Sequence, residues 1–329
     1  MISTILAIRN STTASVLSLL MLFSSTTVAQ SYPAKPIKLI SSSVAGNSGD
    51  TAMRMVIPGM VAGLGQPLLM EIRSAAGGQV AAVAVKTSPA DGYTFLFAST
   101  NMVSSVFLVK DLPFDPRTDF APVSKLISVP SLWAISAALP ANNMNEFIAY
   151  AKKNPGKIAY GSTGVGTGFH LVGEAFSIDT GVSMLHVPYG SGGVAVPVTD
   201  LANDRIQLYF PSYISLLPVI KSGKVKVLSI VDRSRLKALP DVPTIFETLP
   251  NYTLMAPFFG MFAPAGTPRA ITGRIQSEMK KALTPEVVTK LEELGATPVA
   301  NTPDEFAQDL RESLEAFSKA VKAVGITPQ

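Results

Sequence analysis

The chain has 329 residues, of which 47% are hydrophobic and 15% charged, and its formal net charge is +4. That length suffices for two domains with a substantial core. The sequence has no cysteine and only two histidines. This excludes disulfides, cysteine nucleophiles, a lipid-modified cysteine and thiolate or multi-histidine metal sites. The lysines and arginines form no cluster of the kind that binds nucleic acid, so we expect no nucleic-acid partner. We also expect no metal.

The first 29 residues have the pattern of a secretory signal peptide. Arg9 is the only charge before an apolar run at residues 16–23, and Thr27 and Ala29 fit the small-residue positions of a cleavage site. We predict cleavage after Ala29, which leaves 329 − 29 = 300 residues with a net charge of +3. The apolar run is too short for a permanent span, which argues against the alternative of a retained membrane anchor.

The first half of the mature chain alternates β-rich and helical patterns, which is typical of α/β architecture with mostly parallel sheets. Asp50 is expected to be the N-cap of the first helix, and Gly65 ends that helix. The predicted order is strand, helix, strand, helix, strand at residues 35–43, 50–64, 67–72, 78–87 and 91–99.

A second half begins near Val129 and repeats this rhythm. Asn143 with Glu146 has the spacing of a capping box, which predicts a helix up to Lys153. Further strands are predicted at 157–162, 184–189, 205–210 and 224–231, and further helices at 169–180 and 192–202.

The C-terminal part combines one late strand, residues 258–264, with three helices. Helix starts are indicated at Pro268 and by the N-caps Thr284 and Thr302, each followed by proline. Because a late strand can return to the first sheet, we predict two lobes joined by crossing segments at residues 124–136 and 252–262. Lobe 1 comprises residues 30–128 and 253–329, and lobe 2 comprises residues 129–252.

A glycine-rich turn in lobe 2 carries the clearest candidate site. Residues 160–176 read YGSTGVGTGFHLVGEAF, which is a strand, a glycine turn and a helix. Gly164, Gly166 and Gly168 give G-x-G-x-G, one residue short of the dinucleotide fingerprint, and no Gly-Lys-Ser/Thr follows. The pattern therefore argues against nucleotide binding.

A serine hydrolase is a second interpretation of the same region. Ser162 or Ser191 could be a nucleophile with His170 or His186 as its base, but the G-x-S-x-G elbow is absent. His186 lies between Leu185 and Val187 and is more typical of a hydrogen-bonded core histidine. We therefore predict that the chain is not an enzyme.

Anion binding by backbone N–H groups explains the turn best. A glycine turn points successive N–H groups inward, and the helix behind it adds positive potential. Two further donor-rich turns, residues 41–50 and 98–102, also follow strands, so one turn in each lobe could hold one carboxylate of a ligand. His170, in the first helical turn, is expected to be a neutral donor.

Eight segments in register resemble one family across essentially the whole mature chain. They are YPAKPIKLI, AGNSGD, GLGQPLLMEIRSAAGG, PADGYTFLFAS, LPFDPRTDFAPV, NPGKIAYGSTGVGTGFHLVGEAF, HVPYGSGG and LPDVPTIFE. The chain in this respect is similar to the Bug-type extracytoplasmic solute receptors, the substrate-binding proteins of tripartite tricarboxylate transporters.

The resemblance implies a periplasmic, monomeric receptor with a Venus-flytrap fold and no cofactor. It would capture a small organic anion, usually a carboxylate, and deliver it to the membrane permease subunits of a tripartite tricarboxylate transporter. A ligand sensor for a membrane signalling partner is the alternative. Tyr189 is included among the candidate contacts because it matches the family's H-V-P-Y segment. The candidate ligand contacts are Ser42, Ser43, Ala45, Gly46, Asn47, Ser48, Ser99, Thr100, Ser162, Thr163, Gly164, Gly166, Thr167, His170 and Tyr189.

One departure from the family pattern concerns the first turn. Where the family usually has Pro-Phe-Pro-Ala-Gly-Gly, residues 41–47 read SSSVAGN. The prolines and the aromatic residue are replaced by polar groups, so we expect a wetter, more flexible loop. A simple dicarboxylate is therefore not assumed as the ligand.

Overall fold

The structure is a computed structural model that describes residues 32–328 except 166, 191–193 and 253–256. Its internal contacts divide the chain into residues 1–34 and 35–329, and the second unit holds both sheets. The predicted signal peptide lies outside the described residues. None of the described helices is long and apolar enough to cross a membrane.

The first sheet, as far as the chain is described, has six strands in the order β11-β4-β10-β3-β1-β2. β1 pairs in parallel with β2 and with β3, as a β-α-β-α-β unit requires. The strands are β1 (Ile37–Ser41), β2 (Leu68–Ile72), β3 (Thr94–Ser99), β4 (Phe120–Ser128), β10 (Phe258–Pro264) and β11 (Thr297–Pro298).

The second sheet has five described strands in the order β7-β6-β8-β5-β9. The predicted strand at residues 205–210 is shorter than expected, because only two of its residues pair with neighbours. The strands are β5 (Ser131–Ser136), β6 (Ile158–Ser162), β7 (Met184–Pro188), β8 (Leu208–Tyr209) and β9 (Val225–Val231).

Both sheets are mixed, which differs from the expected mostly parallel arrangement. β10 is antiparallel to β3 and β4, and β5 is antiparallel to β8 and β9. β4 and β5 carry the chain from the first sheet to the second, and β10 carries it back. β10 enters the first sheet antiparallel to β3, and β5 enters the second sheet antiparallel to β8. The chain leaves the first sheet after residue 128 and enters the second at residue 131. It leaves the second sheet after residue 231 and returns to the first at residue 258. The exact lobe limits given above stay a prediction.

The helices follow the predicted order, and the structure adds three that the sequence patterns do not indicate, namely α3, α7 and the short α8. The start of α3 lies in the turn predicted at residues 98–102, and α7 contains Pro218. The helices are α1 (Ser48–Leu64), α2 (Gln79–Lys86), α3 (Asn101–Leu108), α4 (Met144–Lys153), α5 (Gly168–Thr180), α6 (Ala195–Ala202), α7 (Tyr213–Lys221), α8 (Ile245–Thr248), α9 (Arg269–Ala282), α10 (Pro285–Glu293) and α11 (Pro303–Val324).

Local capping explains where several of these helices begin. Thr284 and Thr302 cap α10 and α11 as predicted, and Thr302 forms a capping box with Glu305. The prediction that Asp50 caps α1 is wrong. Asn47 is the N-cap, and its side-chain oxygen accepts a hydrogen bond from the N–H of Asp50 at 2.9 Å. Asn47 lies three residues before Asp50 and has the extended backbone, with φ −74° and ψ 171°, that an N-cap needs.

The core beneath the second sheet is aromatic. Trp133 is fully buried, and its ring centroid lies 4.2 Å from that of Phe176 and 4.6 Å from that of Phe210. Each such side chain contributes about 1.5–3 kcal/mol through removal from water. The C-terminal helix α11 packs against α3, which follows the first sheet, and against α5 of the second. This helix therefore contacts elements associated with both sheets.

Candidate ligand-binding site

A cavity of about 500 Å³ lies among residues that come from both sheets and from the segments that connect them. On the side of the first sheet it is lined by the start of α2 and by the length of α3. On the side of the second sheet it is lined by the turn after β6 and by the start of α5. Ser131 at the beginning of β5 and Pro257 just before β10 complete the wall. The site therefore touches both of the segments that cross between the sheets.

Three helix N-termini meet at this cavity. Gln79, Asn101 and Gly168 are the first residues of α2, α3 and α5, and all three line it. A helix N-terminus presents unpaired N–H groups and partial positive charge. Among the described residues, none accepts a hydrogen bond from the N–H groups of Gly168 and Phe169. These groups are therefore available to an anion.

The polar side chains of the cavity wall are all neutral. Some are already engaged: the Thr100 hydroxyl accepts a hydrogen bond from the N–H of Phe258 at 2.7 Å, and the Thr167 hydroxyl donates to the Gly164 carbonyl at 2.8 Å. Others make no side-chain hydrogen bond with any described residue. This second group comprises Gln79, Asn101, Ser131 and Thr163.

No charged side chain lines the cavity within the described part of the chain. The internal segments that the structure leaves out, residues 166, 191–193 and 253–256, contain no charged residue either. Recognition of an anion would therefore depend on helix N-termini and neutral donors. The same described residues contain no group of three or more acidic or histidine side chains that could hold a metal ion.

The first predicted loop, residues 42–47 (loop 1), is occupied with holding α1. The N–H of Gly46 donates to a carboxylate oxygen of Asp50 at 2.8 Å, and Asn47 caps the helix. Ser43 is buried, and its hydroxyl has no hydrogen-bond partner among the described residues. Neither loop 1 nor Ser48 lines the cavity. Ser42 borders a small adjoining space of about 10 Å³.

The second predicted loop, residues 163–167 (loop 2), does reach the cavity. Thr163 and Thr167 line it, and Gly164 adopts a φ of 142°, which favours glycine. Gly166 lies outside the described residues. On the side of the first sheet, Thr100 lines the cavity, whereas the Ser99 hydroxyl accepts a hydrogen bond from the N–H of Asn101 at 3.3 Å.

Beneath loop 2 lies a buried polar network. The Oγ of Ser162 is 2.6 Å from Nε2 of His186, and the His186 ring stacks on His170 with centroids 3.9 Å apart. A carboxylate oxygen of Glu174 is 3.9 Å from Nε2 of His170, and it accepts a hydrogen bond from the Tyr160 hydroxyl at 2.6 Å. We call these five residues the histidine network.

Burial keeps both histidines neutral near pH 7. Burial, together with a smaller effect of the adjacent His170, lowers the pKa of His186 to about 4. Burial also lowers the pKa of His170, although Glu174 opposes that shift. Ser162 is fully buried, so the Ser162–His186 pair has the contact of a nucleophile and base without access for a substrate. His186 is hydrogen-bonded, as predicted, but it is half-buried on the edge strand β7 and so is not part of the core.

Tyr189 contacts another part of the second lobe. Its hydroxyl donates to Asp200 at 2.8 Å, and its N–H donates to the Ser162 carbonyl at 2.9 Å. Of the candidate contacts, Thr100, Thr163 and Thr167 line the cavity. Which of the fifteen residues touches a ligand stays a prediction.

Sequence reasoning missed the turn before α2. Ala76, Gly77 and Gln79 line the cavity, and Ala76 and Gly77 adopt positive φ values of 49° and 64°. The signal was present, since SAAGG at residues 74–78 follows a strand and opens a helix. This is the same order of strand, glycine turn and helix that identified loop 2.

The sequence profile of TctC, described as the tripartite tricarboxylate transporter family receptor, matches residues 52–326. The chain belongs to the TctC family. The family is one of solute-binding receptors rather than enzymes, so this chain is a TctC-family solute-binding receptor, as the resemblance implied.

Individual relatives agree with this assignment. The chain is similar to protein BugT of Bordetella pertussis, with 30% identity over 300 residues that cover 90% of this chain and 91% of BugT. A solved periplasmic transporter is 35% identical, with a TM-score of 0.71 and coverage of 90% and 99%. An R. palustris protein solved with adipate is 29% identical, with a TM-score of 0.73 and coverage of 91% and 100%. The fold is therefore the two-lobed fold of periplasmic binding proteins.

Proposed function

We propose that this TctC-family receptor is exported by its leader to the periplasm, holds the carboxylate of a small organic acid in the 500 Å³ cavity, and delivers it to the membrane subunits of a tripartite tricarboxylate transporter. The observation that carries the ligand class is the convergence of three helix N-termini on a cavity without charged side chains. Adipate, the ligand of the R. palustris relative, is a carboxylate as well.

The physical mechanism is closure of the lobes around the ligand. α2 and α3 present donors from the side of the first sheet, and α5 presents them from the side of the second. A ligand that contacts both sides stabilises the arrangement in which they are close, because it gains both sets of contacts only there. Ser131 and Pro257 line the cavity and lie where the chain crosses between the sheets. A movement of one lobe against the other would therefore change the cavity at these two residues.

The first test is a thermal-shift screen of residues 30–329 with mono-, di- and tricarboxylates, amino acids, and phosphate and sulfate esters. A ligand at 100 times its dissociation constant adds about 2.7 kcal/mol to the free energy of unfolding. We expect a rise in Tm with carboxylates. A rise with a nucleotide or a sugar, and none with any carboxylate, would contradict the proposal.

A matched pair of variants then locates the site. A Cβ added at Gly168 meets no atom within 4 Å, so Gly168→Val leaves the fold intact and places methyl groups at the N-terminus of α5, beside the cavity. Gly273 in α9 has equally open surroundings and lies away from the cavity. We expect Gly168→Val to weaken binding at least about tenfold, or about 1.4 kcal/mol, and Gly273→Val to bind normally. Equal affinities in the two variants would remove the N-terminus of α5 from the site.

A further inference from the structure

The cavity has an apolar end as well as a donor end. Five hydrophobic side chains line it, from α3 and the residue after it, from α5 and from α11. They are Leu108, Val109, Phe169, Val172 and Phe317. Val172 and Phe317 are buried against the core and so form a fixed surface.

Helix geometry separates the two ends. Asn101 begins α3 and Leu108 ends it, and both line the cavity. Seven residues of α-helix span about 10 Å. On α5, Gly168 and Val172 are four residues apart, or about 6 Å. On both helices the N-terminal donors therefore lie apart from Leu108 and Val172, whereas Phe169 lies beside the donors.

The dipole of α3 reinforces this separation of donors from hydrophobic side chains. The N-terminus of α3 carries partial positive charge and its C-terminus partial negative charge. Two nearby hydroxyls at the middle of the helix, those of Ser104 and Ser105, already donate to the Asn101 carbonyl, at 3.3 and 2.6 Å. A carboxylate placed beside Leu108 would thus face hydrophobic side chains and a helix C-terminus, without a cation among the described lining residues. An ionised carboxylate buried without partners is strongly destabilised.

We propose that the preferred ligand of this receptor carries one carboxylate on an apolar body, as in an aliphatic or aromatic monocarboxylic acid, with the carboxylate at the helix N-termini and the body against Leu108, Val109 and Phe317. This inference rests on the proposed function, since it assumes that the cavity is the ligand site. It separates this chain from its relative that was solved with adipate, which has a carboxylate at both ends.

Paired acids of equal carbon number test the inference. Calorimetric titration of residues 30–329 would compare butanoate, hexanoate and octanoate with succinate, adipate and suberate. Each methylene that becomes buried should tighten monocarboxylate binding up to about fourfold. We expect hexanoate to bind at least about tenfold more tightly than adipate.

The outcomes distinguish the two proposals. Adipate binding as tightly as hexanoate, or more tightly, would overturn this inference and leave the proposed carboxylate receptor standing. Absence of binding by both series and by benzoate, at millimolar concentrations, would overturn both.

Two leucine variants provide the structural control. Leu108→Gln puts an amide at the apolar end, and should lower hexanoate affinity about tenfold while reducing the preference over adipate. Leu112 is half-buried against the same core but does not line the cavity, so Leu112→Gln should bind hexanoate like the parent protein. Circular dichroism checks that both variants fold. An unchanged ratio of hexanoate to adipate affinity in a folded Leu108→Gln protein would refute the assignment of the apolar end.

Discussion

The histidine network predicts that the folded chain loses stability between pH 6.5 and pH 4.5. The pKa of His186 falls from 6.5 to about 4 on folding, and that of His170 is lowered as well. In this window the unfolded chain therefore binds more protons than the folded chain. Stability must fall as the pH falls through this range.

The size of the effect follows from these values. For His186 alone, a pKa of 6.5 unfolded and about 4 folded gives a loss of about 2 kcal/mol at pH 5 relative to neutral pH. Because the ring is only partly shielded from solvent, we expect about 1–2 kcal/mol. His170 adds to the loss. The carboxylates with lowered pKa values lose their contribution at lower pH; Glu247, for example, has a pKa of about 2 when folded.

Urea unfolding at pH 7 and pH 5 measures this loss. Trp133, the only tryptophan, is fully buried beside Phe176 of α5 and so reports on the lobe that holds the network. The control is His186→Gln, which should show a clearly smaller loss between the two pH values, whatever its own stability. An equal loss in the variant, or no loss in the parent protein, would refute the role of buried neutral histidine.

Three further substitutions test the packing and the helix caps. Gly173→Ala places a Cβ 2.3 Å from the Tyr160 ring and should destabilise the fold by about 1–3 kcal/mol in urea unfolding, whereas a neutral effect would contradict that close approach. Asn47→Ala removes the cap of α1 and should cost about 1 kcal/mol of stability with little change in ligand affinity measured by calorimetry; a large loss of affinity would instead make Asn47 a ligand contact. Thr302→Ala removes the capping box of α11 and should lower stability by about 1 kcal/mol, and an unchanged urea midpoint would count against it.

Elements fixed by local interactions could be predicted from the sequence. The starts of α10 and α11 were found because threonine, proline and glutamate act within one helical turn. α3 was missed because its residues, NMVSSVFL, include β-branched residues and serines, and its N-cap Thr100 makes no side-chain capping bond. Its helical form depends on packing against α11, which lies some 200 residues away in the chain and which no local pattern can indicate.

The candidate site shows the same division. The sequence predicts that donors collect in glycine turns after strands, and loop 2 does reach the cavity. What the sequence does not give is which donors are already used. The N–H of Gly46 and the side-chain oxygen of Asn47 are already hydrogen-bonded to Asp50 at the start of α1. The turn at Ala76 and Gly77, which lies between the predicted strand at 67–72 and the predicted helix at 78–87, lines the cavity instead.

Two of the candidate ligand contacts, Ser162 and Thr167, hold the shape of loop 2 through hydrogen bonds, and Thr167 also lines the cavity. The Ser162 hydroxyl accepts a hydrogen bond from the N–H of Gly164 at 3.0 Å, and the Thr167 hydroxyl donates to the carbonyl of the same glycine at 2.8 Å. His186 holds Ser162 from beneath. The described residues of loop 2 are thus held by hydrogen bonds within the protein before any ligand enters, which lowers the entropy that binding must remove. Because no cation lies among the described residues of the cavity wall, an anion bound there would depend on neutral donors, and the histidine network supports those of loop 2 through Ser162.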